Sequence, residues 1–285
     1  MLLENVRFHA EEEKNDPAFA KELATGYDLY VNDAFGAAHR AHASTEGVAR
    51  ILPAYAGLLL EKELRALRGL LSAPKRPFLA IIGGAKVSTK IDVLRALLAR
   101  VDALAIGGGM ANTFLLATGH KIGRSLAEPD RAGEARAILD DAKAQKKRVL
   151  LPEDVLCAPS VDDAGARAAA VKGVGDVGDD VAIVDIGPRT IERYADEIRR
   201  ARTIFWNGPL GVFEIPAFAT GTKRVAELLA SSGATTIVGG GESVQAVEEL
   251  GLADKLTHVS TGGGASLELI EGKTLPGVAA IPDRG

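Results

Sequence analysis

Two lysines, Lys86 and Lys90, follow a paired-glycine turn in the run Gly83-Gly84-Ala85-Lys86-Val87-Ser88-Thr89-Lys90. Backbone N–H groups at a helix start favour an anion, and lysines four apart share one helical face. Like charges so placed repel unless an anion sits between them, so this run suits phosphate. Its spacing is not that of a Walker loop, and its plain alternative is a solvated helix face. Gly239-Gly240-Gly241-Glu242-Ser243 puts a carboxylate and a hydroxyl at another helix start. Beside phosphates that pair suits a Mg²⁺ ion that keeps several waters; otherwise it is an N-cap. Gly107-Gly108-Gly109 has no side chains to obstruct a flat ring, and Ser260-Thr261-Gly262-Gly263-Gly264-Ala265-Ser266 offers a second row of N–H groups. In Trp206-Asn207-Gly208-Pro209-Leu210-Gly211-Val212-Phe213-Glu214 the lone tryptophan, a proline between glycines, and the polar Asn207 and Glu214 describe a fixed loop beside a ligand. Arg7 and Arg40 carry forks that match phosphate or carboxylate. His39 and His42 flank Arg40 and make the cluster basic, without spacing for a triad or a metal.

The elements that must position these groups form a repeating unit. From Phe78 onward a short apolar strand ends in a Gly-rich turn and a helix follows. Strands are expected at 78–82, 103–106, 148–151, 181–185, 203–206, 235–238 and 257–260. Continuous apolar strands alternating with helices predict a Rossmann-like parallel sheet with helices on both faces. In such a sheet the crevice lies beyond the carboxyl ends of the strands, where these turns stand. The first part reads differently: a strand over Leu2–Phe8, a helix over Pro17–Thr25 and a strand over Tyr27–Asn32. That is too little to close a core alone, so it forms an incomplete second α/β domain. A long helix is expected over Leu58–Leu71. The segment Gly173-Val174-Gly175-Asp176-Val177-Gly178 satisfies the dinucleotide pattern literally, but no helix follows, and it reads as a polar hairpin-like loop.

Composition narrows the classes. The 285 residues are 47% hydrophobic and 25% charged, with net charge −4. That is ordinary globular composition, and nothing marks a nucleic-acid binder. The single Cys157 excludes an internal disulfide and a cysteine-cluster metal site, and fits a reducing compartment. No run is apolar and long enough to span a bilayer, and Glu4, Glu11, Glu12 and Glu13 argue against a signal peptide. A cytoplasmic protein without membrane or nucleic-acid partners is expected.

Taken in order, several blocks match one family. They are Leu2–Phe8, Val31-Asn32-Asp33-Ala34-Phe35-Gly36, His39-Arg40-Ala41-His42, Gly83–Val87, Gly107–Met110, Asp185-Ile186-Gly187-Pro188, Trp206–Glu214 and Ser260–Ala265. On these the chain resembles phosphoglycerate kinases along essentially its whole length. The resemblance implies residues 1–55 as a remnant of the phosphoglycerate-binding domain, 56–265 as the nucleotide-binding domain, and 266–285 returning toward the first. It implies ATP or ADP, Mg²⁺ and 3-phosphoglycerate as ligands, and a monomer if complete. Lys86 and Lys90 would hold nucleotide phosphates, with Lys90 near the transferring group. Gly84 and Gly108 would border the adenosine. Asn207 and Glu214 would hold the phosphate side and the ribose, with Pro209, Gly241 and Ser243 also on the nucleotide and Glu242 on the metal. Gly263 and Gly264 would aim N–H groups at the moving phosphoryl, and Arg7 and Arg40 would bind the phosphate of the acid.

Two departures follow from the resemblance. The family places its earliest strands ahead of the block at Leu2–Phe8, a piece on the order of 100 residues that carries most acid-binding groups and a charge-stabilising Arg. An arginine of that kind is worth roughly three to five orders of magnitude in phosphoryl transfer, so poor turnover is expected of these residues alone. The family also usually has Asp where this chain has Glu242, and Mg²⁺ demands tight geometry. The readings are therefore a phosphoglycerate kinase short of part of its first domain, a nucleotide-binding module without kinase activity, or a fragment that folds incompletely.

Overall fold

The computed structural model describes residues 1–283. The chain divides into two compact units, Met1–Gly69 with the chain from Thr261 onward, and Leu70–Ser260. Their boundaries fall at Gly69/Leu70 and Ser260/Thr261, where the sequence suggested 55/56 and 265/266. The first unit holds α1 (Ala10–Glu13), α2 (Pro17–Ala24), β1 (Tyr30–Asn32), β2 (Ala54–Ala56) and the start of α3 (Leu58–Ser72). Asp16 caps α2, accepting from the N–H groups of Ala18 and Phe19, ahead of Pro17. β1 and β2 form a two-stranded parallel sheet. The strand expected over Leu2–Phe8 is absent: the chain there is irregular to Asn5 and then makes a 3₁₀ turn, Val6–Phe8. An apolar run becomes a strand only by pairing with another strand, and among the described residues none pairs with it.

The second unit carries β3 (Phe78–Ile82), α4 (Ile91–Leu98), β4 (Ala103–Ile106), α5 (Gly108–Ala117), α6 (Ala132–Ala144), β5 (Arg148–Leu150), β6 (Asp154–Ala158), α7 (Asp163–Arg167), β7 (Ala170–Gly173), β8 (Ala182–Ile186), α8 (Pro188–Arg200), β9 (Thr203–Asn207), α9 (Thr220–Ser231), β10 (Thr235–Gly239), α10 (Gly241–Glu249) and β11 (His258–Val259). The chain then enters α11 (Gly264–Glu271) and α12 (Pro276–Ala279), in the first unit. There the Asn32 side chain donates to the Gly277 carbonyl, and the Gly277 N–H donates to Ala38.

The main sheet is six-stranded in the order β11-β10-β9-β3-β4-β5, and every pair is parallel. Helices cover both faces, as continuous apolar strands require. All of β3, β4 and β9 is buried. One face of the sheet, through Leu79, Ile81, Ile204, Trp206 and Val238, packs on α8 and α9. Tyr194 of α8 is fully buried in that core, and its hydroxyl donates to the carbonyls of Ile106 and Leu150. Trp206 belongs to this core and not to a ligand loop: it is fully buried and its Nε1–H donates to Gly208.

The strand at 182–186 does not join the parallel sheet. It pairs antiparallel with β6 in a three-stranded sheet ordered β7-β6-β8. The turn after β7 is a 3₁₀ turn, Val174–Asp176, and it is no hairpin, because β7 and β8 lie on opposite sides of β6. Asp154 of β6 ties this sheet to α8. Its carboxylate accepts from the N–H groups of Arg189 and Thr190, and Thr190 Oγ1 accepts in return from the N–H groups of Glu153 and Asp154.

Candidate functional site

Strand order decides where the site lies. The chain runs β3-β4-β5 toward one edge and β9-β10-β11 toward the other, so order reverses between β3 and β9. In parallel α/β sheets ligands bind at the carboxyl ends of the strands at that reversal. Here Ile82 pairs with Asn207 at the ends of the two strands, and Gly83 and Gly208 follow directly.

Three turns are bolted together at this place by backbone bonds. Gly83 N–H donates to Asn207, Gly84 N–H to Pro209 and Gly108 N–H to Leu210, at 2.9, 2.9 and 3.0 Å. Met110 N–H closes the set on the Gly84 carbonyl at 2.9 Å. The approach is close enough that a Cβ on Gly83 would lie 2.0 Å from the Pro209 oxygen. Ser243, fully buried on α10, accepts from the Gly208 N–H.

Lys90 crosses this arrangement. Its Nζ donates to the Gly83 carbonyl at 2.8 Å and to Asn207 Oδ1 at 2.7 Å. Burial pushes its ammonium down to about 8, and the Glu242 carboxylate nearby works in the opposite direction. Asn207 is 1% exposed, and its Nδ2 has no partner. That donor faces the turn after β10, where Gly240 has φ of +91° and a Cβ would lie 2.8 Å from Nδ2. Both features favour glycine there. A buried, unsatisfied N–H beside a half-buried ammonium is an anion site in its chemistry.

The expected helical pairing of Lys86 with Lys90 does not occur. α4 begins at Ile91, with Lys90 as its N-cap. Residues 86–90 form a polar turn instead. Lys90 N–H donates to Val87, Thr89 Oγ1 to Lys86, and Ser88 gives both its N–H and its hydroxyl to Glu128. Side chains that bond the local backbone compete with helix in this way. Burial tends to raise the Glu128 carboxyl, but these bonds and the charge of Lys86 hold it below its ordinary value. Lys86 itself is exposed.

A cavity of about 220 Å³ opens beside these turns. Gly84, Gly108 and Pro209 border it, as do the carboxylates of Glu214 and Glu242. Its remaining walls are largely apolar and include Leu126, Val155, Leu210 and Val212. Asp185 also lines it, at 2% exposure. Burial raises Asp185 to about 7 against hydrogen bonds from the backbone of Gly221 and Ile186. Sequence reasoning passed over Asp185 and Asn112 as lining residues. An acidic residue ending an apolar strand was the available signal for the first. For the second it was an amide among Met110, Ala111, Phe114 and Leu115. Gly241 opens α10 and has open space where a side chain would stand.

The other expected residues lie in the first unit. Gly263 caps α11 with φ of +51°, and Gly264 is its first residue. A Cβ on Gly264 would lie 3.4 Å from the His39 ring, and His39 Nδ1 bonds Glu268 at 2.9 Å. Arg7 and Arg40 are exposed.

Fold and site together define a nucleotide-type α/β protein: a parallel sheet, a reversal of strand order, and glycine turns around a cavity at that reversal. The family model for phosphoglycerate kinase matches residues 1–273. The phosphoglycerate kinase of Herpetosiphon aurantiacus is 56% identical over 285 residues, covering 100% of this chain and 72% of its own length. That of Chloroflexus aurantiacus is 57% identical over 286 residues, 99% of this chain and 71% of the relative. Among solved structures, the Coxiella burnetii phosphoglycerate kinase superposes with a TM-score of 0.91 at 45% identity, over 97% of this chain and 71% of that one. The Pyrococcus horikoshii enzyme gives 0.85 at 35% identity over the same shares. The chain belongs to the phosphoglycerate kinase family.

Proposed function

We propose that this chain serves the reversible transfer of a phosphoryl group between ATP and 3-phosphoglycerate, giving ADP and 1,3-bisphosphoglycerate. The observation that carries the nucleotide side is the meeting of Lys90 and Asn207 over the Gly83-Gly84 turn, with Asn207 Nδ2 buried and unpaired. A phosphate arriving there supplies the missing acceptor, and its charge offsets the burial of the Lys90 ammonium. Phosphoryl transfer relies on such positioning and neutralisation more than on covalent chemistry by the protein. Gly84 and Gly108 border the adenosine beside Pro209, which Gly84 bonds, and Glu214 lines the same cavity. Ser243 fixes the turn through the Gly208 N–H, and Gly241 leaves open space for the nucleotide at the head of α10. Lys86, exposed and not among the residues lining the cavity, would meet the part of the polyphosphate that extends beyond it.

Mg²⁺ fits the residues present. Among the described residues no cluster of three or more His, Cys, Asp or Glu could cage a metal. A single carboxylate, Glu242 on the first turn of α10, is the donor set of an ion that keeps its waters and takes its other ligands from phosphate. Bound there, Mg²⁺ supplies charge neutralisation at the phosphates. In the first unit, Arg7 and Arg40 are the cations for the acid's phosphate, and Gly263 and Gly264 offer N–H groups at the head of α11. With these two exposed arginines as its cations for the acid, a protein limited to these residues is expected to bind the acid weakly and turn over poorly.

Calorimetry with ADP and with 3-phosphoglycerate, beside a coupled kinase assay, tests the reading. ADP binding with weak acid binding and turnover roughly three to five orders of magnitude below a full-length relative is expected. Family-like turnover would overturn the impaired-activity part. ADP binding with no turnover at all favours a nucleotide-binding module.

A further inference from the structure

Asn112 stands in α5, three residues past Gly109, and is 2% exposed. Only half of its amide is used. Nδ2 donates to the Leu126 carbonyl at 3.0 Å, while Oδ1 is buried with no partner. That bond also fixes which way the amide faces, since turning it over would set oxygen against oxygen. Asn112 and Leu126 both line the 220 Å³ cavity. A buried acceptor without a donor is unfavourable in a finished core. In a ligand cavity it selects instead, because only a ligand with an N–H at that point restores the bond.

We infer that Asn112 reads the base of the nucleotide: its Oδ1 accepts from the exocyclic 6-amino group of adenine. An acceptor repels phosphate oxygens and a 6-oxo group alike. The neighbouring walls Leu126, Val155 and Ile183 are apolar, which suits a flat ring rather than a sugar. Lys90, Asn207 and Glu242 provide for the phosphates elsewhere in the site. The inference rests on the nucleotide reading of the cavity and adds to it a base preference with a named residue behind it.

The test is calorimetric titration of the whole chain with ADP and with purine riboside 5′-diphosphate, which carries hydrogen in place of the 6-amino group. The wild-type protein should prefer ADP by about tenfold. Asn112→Leu, of similar volume but without the acceptor, should bind both ligands equally while keeping its affinity for the purine riboside compound. Asn112→Ala gives the same comparison should leucine overfill the site. Equal binding of both ligands to the wild type overturns the inference alone, as does a preference that survives in the variants. Binding of neither ligand to the wild type removes the nucleotide reading, and the inference with it.

Discussion

Lys90 is held by two neutral acceptors, the Gly83 carbonyl and Asn207 Oδ1, and neither fully replaces the water it has lost. Its ammonium therefore titrates near 8, well below the usual lysine value. A polyphosphate stabilises the charged form and raises that value, so binding and protonation are linked. The sign follows directly. Well below pH 8 Lys90 is charged in both states and adds no pH dependence to ADP affinity. Above about 8 the free protein has lost the proton that the complex regains, and affinity falls as pH rises. At pH 8 ADP binding should take up about half a proton, measured by calorimetry in buffers of differing ionisation heat. Lys90→Arg, which stays charged, should abolish the uptake; an unchanged uptake would exclude Lys90 as its source. Glu242 gives a second residue-level prediction. Glu242→Gln should weaken the Mg²⁺ enhancement of ADP binding by at least about tenfold, while Glu242→Asp keeps the charge and most of the effect. ADP titrations with and without Mg²⁺ decide, and equal enhancement in wild type and Glu242→Gln would move the metal elsewhere.

At the scale of elements, the site is an arrangement of turns that no single turn could hold. The carbonyls of Asn207, Pro209 and Leu210 accept from Gly83, Gly84 and Gly108, so the loop after β9 is fixed by the loops after β3 and β4. Gly83→Ala would force a methyl to 2.0 Å from the Pro209 oxygen. Overpacking against backbone has no flexible neighbour to give way, so about 2 kcal/mol or more of stability should be lost, together with ADP affinity. Urea denaturation with and without ADP measures both. Gly69→Ala is the control, because nothing lies within 4 Å of its Cβ position and it sits inside α3. Much of this framework was legible in the sequence. β3 and β4 fall on the expected residues, because continuous apolar runs closed by glycines have few other solutions. Their convergence followed from the parallel sheet. The meeting of Lys90 with Asn207, 117 residues away, was not legible as a contact, since only the order of strands puts those ends side by side. The separate antiparallel sheet was also hidden, because an apolar run does not declare its partner. The 86–90 turn read as helix because Glu128, which holds Ser88, lies 40 residues downstream.

Across the whole molecule the two units differ in how they meet water. In the second, a six-stranded sheet is covered on both faces, and the strands nearest the site are buried throughout. The first has a sheet of only two strands, and two strands are marginal by themselves. Large apolar side chains there remain exposed, among them Leu2 at 97%, Phe8 at 75% and Leu58 at 84%, with Val31 and Tyr55 of the sheet itself about half exposed. Burial of apolar surface is the main stabilising term, so local opening free energy should be distributed unevenly. Native-state hydrogen exchange should show the amides of β3, β4 and β9 exchanging only by global opening of the second unit. Those of β1 and β2 should exchange by openings at least 2 kcal/mol easier, about a thirtyfold difference in opening constant. ADP should widen the gap by protecting the second unit alone at subsaturating opening. Equal protection of β1 and β9 would mean that the two-stranded sheet is as well supported as the six-stranded one, and would end the reading of the first unit as the less stable of the two.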